Sequence, residues 1–374
     1  MKNSWRLLTV RGIDIRVHFT FPLILLWAAL QFGLAGGSME SALFGLIVVT
    51  FLFVLVTLHE LGHSFAALHY GIPVEQIVLT PIGGVAQLQT MPEEPRQEFV
   101  IAIAGPAVNF VIAILMGVAA VFLGINLTNP LVLLGGIGTL SFASLFSYIF
   151  IYNIFLAVFN LLPAFPMDGG RVLRALLAMR LDYVRATNIA ATIGRGLAVL
   201  MGLFGLFNGG IFLILIAVFI FSGAGQEAQV VRARGALRGY QVRHAYSPSV
   251  YQLTPYSNLQ QAANLMLFSG QTSFPVTQGE QLVGFISQAT LMTALRARGP
   301  HTWVNMVMRQ DVPPVRLTDD LYEVAQRMQQ EGVDALPVAD ADGRSLGMVT
   351  QQNIVELRRL QRVAPHAVPK PYSA

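Results

Sequence analysis

The chain has 374 residues, of which 12% are charged and 54% apolar, with a formal net charge of +4 and no cysteine. Soluble domains carry about twice that charged share (~25%), so a protein soluble throughout, a disordered chain and a simple nucleic-acid binder are all excluded. Without cysteine there are no disulfides and no thiolate ligands, and any metal must be held by His and carboxylates.

The charges are also unevenly placed. Residues 1–225 hold 19 of the 44 Asp, Glu, Lys and Arg, and none lies between Phe99 and Met167. In chain order the apolar runs are Phe19–Gly36, Ala42–Leu58, Phe99–Leu123, Leu131–Phe159, Ile189–Phe207 (interrupted by Arg195) and Ile211–Ser222. A bilayer asks for about 20 apolar residues per spanning helix, so six spans are expected, the last one short unless it borrows flanking residues. Small residues at Ala35–Ser38 would suit cleavage of the first run as a signal. Its retention as a span is the preferred reading, because its loss would put the Arg-rich ends on opposite sides. Arginine clusters at 6–16, 171–185 and 232–243, against none in the connectors near 36–41, 126–130 and 208–210, place both termini in the cytoplasm.

Between the second and third runs, Gln76–Leu88 reads as strand, Gly83-Gly84, strand, a hairpin whose free edge could hold an extended peptide. A purely structural hairpin fits the same pattern. From Gln226 the texture becomes that of a soluble domain with an internal repeat. Phe274-Pro275-Val276 and Gly284-Phe285-Ile286-Ser287 return as Leu336-Pro337-Val338 and Gly347-Met348-Val349-Thr350, 62 and 63 residues later. Helices are expected before each copy at Leu259–Phe268 and Leu321–Gln330, and after each at Ala289–Ala297 and Gln352–Leu360. Such a unit cannot bury its sheet alone and is expected to pack as a pair. The expected organisation is thus a membrane domain over 1–225, a linker over 226–242, repeats over 243–300 and 301–363, and a disordered tail over 364–374.

The chemistry concentrates in His59-Glu60-Leu61-Gly62-His63, at the end of the second run. Residues i and i+4 share a helix face, so both imidazoles can reach one metal ion, and the Glu after the first His can take a proton from a water at that metal. The bland reading is a helix end whose His and Glu merely touch water. A hydrolytic zinc site takes a third protein ligand, and the candidate is Asp168, in a segment broken by Pro163, Pro166, Gly169 and Gly170. Irregular backbone survives at membrane depth only where protein or a water-filled cavity satisfies it. The competing reading pairs Asp168 with Arg171 at the surface. Asn109 and Asn160, in apolar surroundings, could support an oxyanion or orient a ligand, or simply bond helix to helix. His69 falls about 600° round the helix from His63, away from the metal-facing side.

The HELGH of the second span, the Ala-Gly-Pro-x-x-Asn of the third and the Asn-x-x-Pro-x-x-Pro-x-Asp-Gly-Gly segment resemble the site-two protease family of intramembrane zinc metalloproteases. The resemblance implies one Zn2+ held by His59, His63 and Asp168, with Glu60 as catalytic base. It also implies cleavage of the transmembrane segments of membrane-anchored proteins, in regulated intramembrane proteolysis. The repeated unit resembles a tandem pair of CBS domains, as in the subgroup of these proteases with a C-terminal regulatory pair. Such pairs commonly bind adenosine nucleotides, with an Asp three residues after the Ser/Thr holding the ribose. Thr290 and Asn353 stand at those positions here, which gives weight to a dimerisation or structural role beside nucleotide sensing. The implied fold is a multi-pass α-helical membrane domain with a short β-hairpin near the site, followed by a soluble α/β pair. The implied partners are a membrane-spanning substrate, the bilayer, an adenosine nucleotide and a second copy of the chain; nucleic acid is not among them. The expected location is the plasma membrane of a prokaryotic cell. A CBS-regulated metal-ion transporter is the alternative, because His and Asp can also line an ion path.

Overall fold

The structure is a computed structural model that describes residues 4–81, 83–88, 94–127 and 140–364. It divides into two compact units, Met1–Val231 and Arg232–Ala374. The expected tail falls on residues outside those described, apart from Ala364.

The first unit opens with a hairpin that the hydropathy reading did not anticipate. Strands β1 (Ser4–Val10) and β2 (Ile13–His18) are joined by Arg11 and Gly12, with φ of 48° and 87°. Positive φ at both turn positions is what a two-residue hairpin of this hand requires. Along β2, Ile13, Ile15 and Val17 are buried while their neighbours are not, the period-two signature of a half-buried strand. Helices α1 (Phe21–Gly36) and α2 (Met39–His69) follow, then β3 (Val74–Thr80) and β4 (Gly83–Leu88). The four strands form one sheet in the order β1-β2-β3-β4, with β2 and β3 parallel and β4 on an edge. The expected hairpin is therefore half of a larger sheet.

Helices α3 (Pro95–Leu123), α4 (Phe142–Asn160), α5 (Asp168–Ala178), α6 (Tyr183–Phe207) and α7 (Ile211–Leu237) complete the unit. Among the described residues, five helices (α2, α3, α4, α6 and α7) are long and apolar enough to cross a membrane. The sixth expected span, α1, has 16 residues, about 24 Å against a ~30 Å hydrocarbon core. The short span is thus the first. The last run borrows flanking residues and reaches 27, so that 226–237 is helical. The start of the run expected from Leu131 lies outside the described residues. Apolar side chains such as Val121 and Phe122, more than 80% exposed, face outward. Lipid is the environment such a surface needs.

Helices α2 and α3 approach closely because small residues meet: a Cβ on Gly62 would lie 2.8 Å from the Ala104 carbonyl oxygen. Helix α2 is capped by Ser38, whose side chain accepts from Ser41 N–H, and α3 stops at Gly124 with φ of 65°.

The second unit contains β5 (Tyr246–Ser247), α8 (Leu259–Ser269), β6 (Phe274–Gln278), β7 (Gln281–Ile286), α9 (Gln288–Arg298), α10 (Leu321–Glu331), β8 (Ala335–Ala339), β9 (Ser345–Thr350) and α11 (Gln351–Val363). The internal repeat appears in its hydrogen bonds. Leu253 N–H donates to Pro275 O at 3.0 Å, and Val315 N–H donates to Pro337 O at 2.9 Å, each partner displaced by the 62-residue offset. Two apolar cores serve the two copies, one around Leu259, Phe274 and Ile286 and the other around Leu321, Leu336 and Val349.

Candidate metal centre

Three elements bring the site together. Helix α2 presents His59 and His63 from one face, one turn apart, both buried. Asp168 is the first residue of α5, and the chain reaches it through a tight reversal over 161–167. Gly169 permits that reversal, because a Cβ there would collide with the Leu161 and Leu162 carbonyls. A Cβ on Gly170 would meet Phe165 N at 2.6 Å. The loop is wedged against α6, where a Cβ on Gly194 would lie 3.0 Å from Ala164 Cα, and against α7, where one on Gly223 would lie 2.7 Å from Pro166 Cδ. Two of its amides bond within the loop: Ala164 N–H donates to Leu162 O at 2.7 Å and Met167 N–H to Ala164 O at 3.0 Å. That is how irregular backbone is accommodated amid spanning helices.

The result is a triangle of donor atoms. His59 Nε2 lies 3.0 Å and His63 Nε2 3.1 Å from Asp168 Oδ2, and the two Nε2 atoms are 3.1 Å apart. Tetrahedral zinc with ligands at ~2.0–2.1 Å sets its donors about 3.3 Å apart, close to these edges. The chemistry of the donors fits as well. His63 Nδ1–H donates to Ile101 O at 2.7 Å, and His59 Nδ1–H donates to Asn109 Oδ1 at 2.5 Å. With Nδ1 carrying the proton on each neutral ring, both Nε2 lone pairs and the Asp168 carboxylate point at one another. Three acceptors in mutual contact repel unless a cation lies among them. Gly105 leaves the space: a Cβ there would press on both imidazoles, 2.8 Å from His59 Nε2.

The other residues singled out in the sequence are placed as follows. Glu60 sits on the same helix turn, and a Cβ on Gly84 of β4 would come within 2.7 Å of its Cγ, so the edge strand lies directly over it. Asn109, fully buried on α3, spends its carbonyl on His59 and donates its Nδ2 to Asn153 Oδ1 at 2.7 Å. Asn160 ends α4 and donates its Nδ2 to Leu156 O of that helix at 3.0 Å. His69 is exposed at the far end of α2, its ring against Tyr70. Sequence reasoning missed Asn153. It is buried on α4, accepts from Asn109 Nδ2 and donates its own Nδ2 to the Asn109 backbone carbonyl at 2.8 Å, holding both the side chain and the backbone of Asn109. The available signal was an Asn in the middle of an apolar run, which is costly in lipid unless bonded. In the second unit, Thr290 and Asn353 serve as helix-start residues: Ser287 Oγ accepts from Thr290 N–H, and Asn353 Oδ1 accepts from Thr350 N–H.

Residues 47–201 match the model of peptidase family M50, and residues 242–297 and 304–359 each match the CBS domain. A zinc metalloprotease of Methanocaldococcus jannaschii is 39% identical over 287 residues, 76% of this chain and 78% of that one. The chain belongs to peptidase family M50. Stage IV sporulation protein FB of Bacillus subtilis, another relative, is 26% identical over 183 residues, 49% of this chain and 56% of its own length. Among solved structures, the site-2 protease from Methanocaldococcus jannaschii is 41% identical and covers 60% of this chain and 95% of that one, with a TM-score of 0.45. By its family, its relatives and its apolar helices, this M50 chain is an integral membrane zinc metalloprotease carrying a tandem CBS pair. Zinc is the metal the family implies, and the His-His-Asp triangle is a group able to hold it. The transporter alternative draws no support from these relatives.

Proposed function

We propose that His59, His63 and Asp168 are the zinc ligands, that Glu60 is the catalytic base, and that the substrate is a membrane-spanning segment presented in extended form against β4. Zinc held there would supply Lewis acidity, polarising the scissile carbonyl and making water acidic enough to deprotonate. Glu60 then accepts that proton and delivers it to the leaving amine. The single observation that supports this reading most is the donor triangle, with edges of 3.0–3.1 Å and both Nδ1 positions engaged elsewhere.

Of the roles open to Asn109, orienting His59 is the one its bonds favour, because both ends of its amide are occupied. Asn160, bonded to Leu156, is left as a candidate only for movements that free its amide. A peptide bond inside a helix is shielded by its own hydrogen bonds, so the substrate must be unwound locally. The exposed Val85 edge of β4 offers backbone groups to an extended strand. The arginine clusters support cytoplasmic termini, and with them a CBS pair on the cytoplasmic face that regulates activity or assembly, through an adenosine nucleotide or a second copy of the chain.

Comparing membrane proteomes of cells that express the wild type or Glu60→Gln tests the reading. Single-span proteins that accumulate with the variant, and are shortened with the wild type, are the expected result. Identical proteomes would contradict it.

A further inference from the structure

Among the described residues of the first unit, the largest fully buried side chain is a cation. Arg174, on α5, is 1% exposed. Its Nε donates to Glu98 Oε1 at 2.8 Å and its Nη2 to the same oxygen, while Nη1 donates to Glu227 Oε1 at 2.5 Å. Its guanidinium also stacks on two rings, 4.9 Å from the Phe165 centroid and 5.0 Å from that of Tyr183. Glu98 is in the first turn of α3, Glu227 is on α7, Tyr183 opens α6 and Phe165 lies in the reversal before α5. One side chain thus ties α3, α6 and α7 to the reversal that leads into α5.

The cluster is also asymmetric. Two carboxylates share one guanidinium, and Glu98 Oε2 is buried without a hydrogen-bond partner among the described residues. Were Glu227 to withdraw, Nη1 would lose its carboxylate while Nε and Nη2 stayed on Glu98. The contact with α7 can therefore be lost while the contact with α3 is kept.

The position of the cluster relative to the donor triangle gives it a task. Glu98 lies less than one helical turn from Ile101, whose carbonyl accepts from His63 Nδ1–H. Arg174 lies less than two turns from Asp168 on the same helix. The Glu98–Arg174 pair consequently fastens the helix that orients His63 to the helix that presents Asp168. Glu227 adds α7, whose chain runs on to Leu237, a core residue of the second unit.

We propose that Arg174 is a positioning residue that keeps Asp168 in register with His59 and His63, and that Glu227 makes this register depend on α7, the helix leading to the CBS repeats. The inference rests on reading those three residues as metal ligands. Its test uses the full chain in detergent, stripped of metal and titrated with Co2+, whose ligand-field absorption reports ligand geometry. Arg174→Gln is expected to weaken Co2+ binding roughly 10–100-fold, and Glu227→Gln about 10-fold, the range seen when residues supporting a metal ligand are lost. Both are expected to alter the absorption envelope, whereas Arg185→Gln, at an exposed position on α6, behaves as wild type. Should Arg174→Gln fail to fold, Glu227→Gln decides, because that carboxylate is one-quarter exposed and its loss leaves less buried charge unpaired. Thermal melting of the metal-free proteins is followed alongside. A folded variant with lowered melting but wild-type Co2+ affinity and spectrum would overturn the proposal. A wild type that takes up no Co2+ would instead overturn the ligand assignment beneath it.

Discussion

Asn109 Oδ1 accepts the Nδ1 proton of His59 at 2.5 Å, and this bond decides which face of the imidazole is free. Asn153 holds Asn109 in turn, so that a polar chain from α4 through α3 to α2 fixes His59 Nε2 toward Asp168 and His63. Asn109→Leu is expected to lower zinc affinity about 10–100-fold, with Asn153→Leu following in the same direction. Competition against a chelator of known affinity measures both. If Asn109→Leu slowed turnover at saturating zinc while leaving metal affinity intact, the residue would be acting on substrate.

Glu60 shares the helix turn of His59 but is not one of the three converging donors. Glu60→Gln keeps the shape and removes the carboxylate. Cleavage of a reporter transmembrane segment is expected to fall by about 10²–10⁴-fold or more, while the purified variant retains its zinc. Turnover at the wild-type rate would remove Glu60 from the proton path.

Gly105 marks where α3 passes closest to the imidazoles. Gly105→Ala places a Cβ against both rings and is expected to expel the metal without unfolding the helices. Zinc per chain by elemental analysis, read with the helical signal in circular dichroism, checks this. An alanine variant with full zinc content would show that the rings have room to move.

The β4 edge is tested without touching the metal. Gly84→Val would push a side chain into Glu60 Cγ, whereas Val85→Pro alters only the strand. Val85→Pro is expected to lower cleavage of a membrane-spanning substrate several-fold at unchanged zinc content. Equal cleavage by Val85→Pro and wild type would mean that the hairpin is structural.

Much of this arrangement was legible because it is carried by local spacing. The i, i+4 histidines sit on one face by helix geometry alone, and Asp168 stood out as the first charge after a long neutral stretch. The 62-residue repeat survived into paired backbone bonds at Leu253 and Val315. The β1–β2 hairpin was missed because β1 exposes Trp5, Leu7 and Leu8 and so lacks the alternation that reveals β2. Asn153 and the Glu98–Arg174–Glu227 cluster were missed for a different reason. Their partners are 44, 76 and 53 residues away in the chain, and no local period encodes such meetings.

The most direct measurement is the stoichiometric zinc titration of the purified full chain beside its Asp168→Ala variant. One tightly held zinc per chain in the wild type, and a loss of affinity by orders of magnitude in the variant with its helices intact, is the predicted result. Equal zinc affinity in the two proteins would contradict the convergence of His59, His63 and Asp168 on one ion.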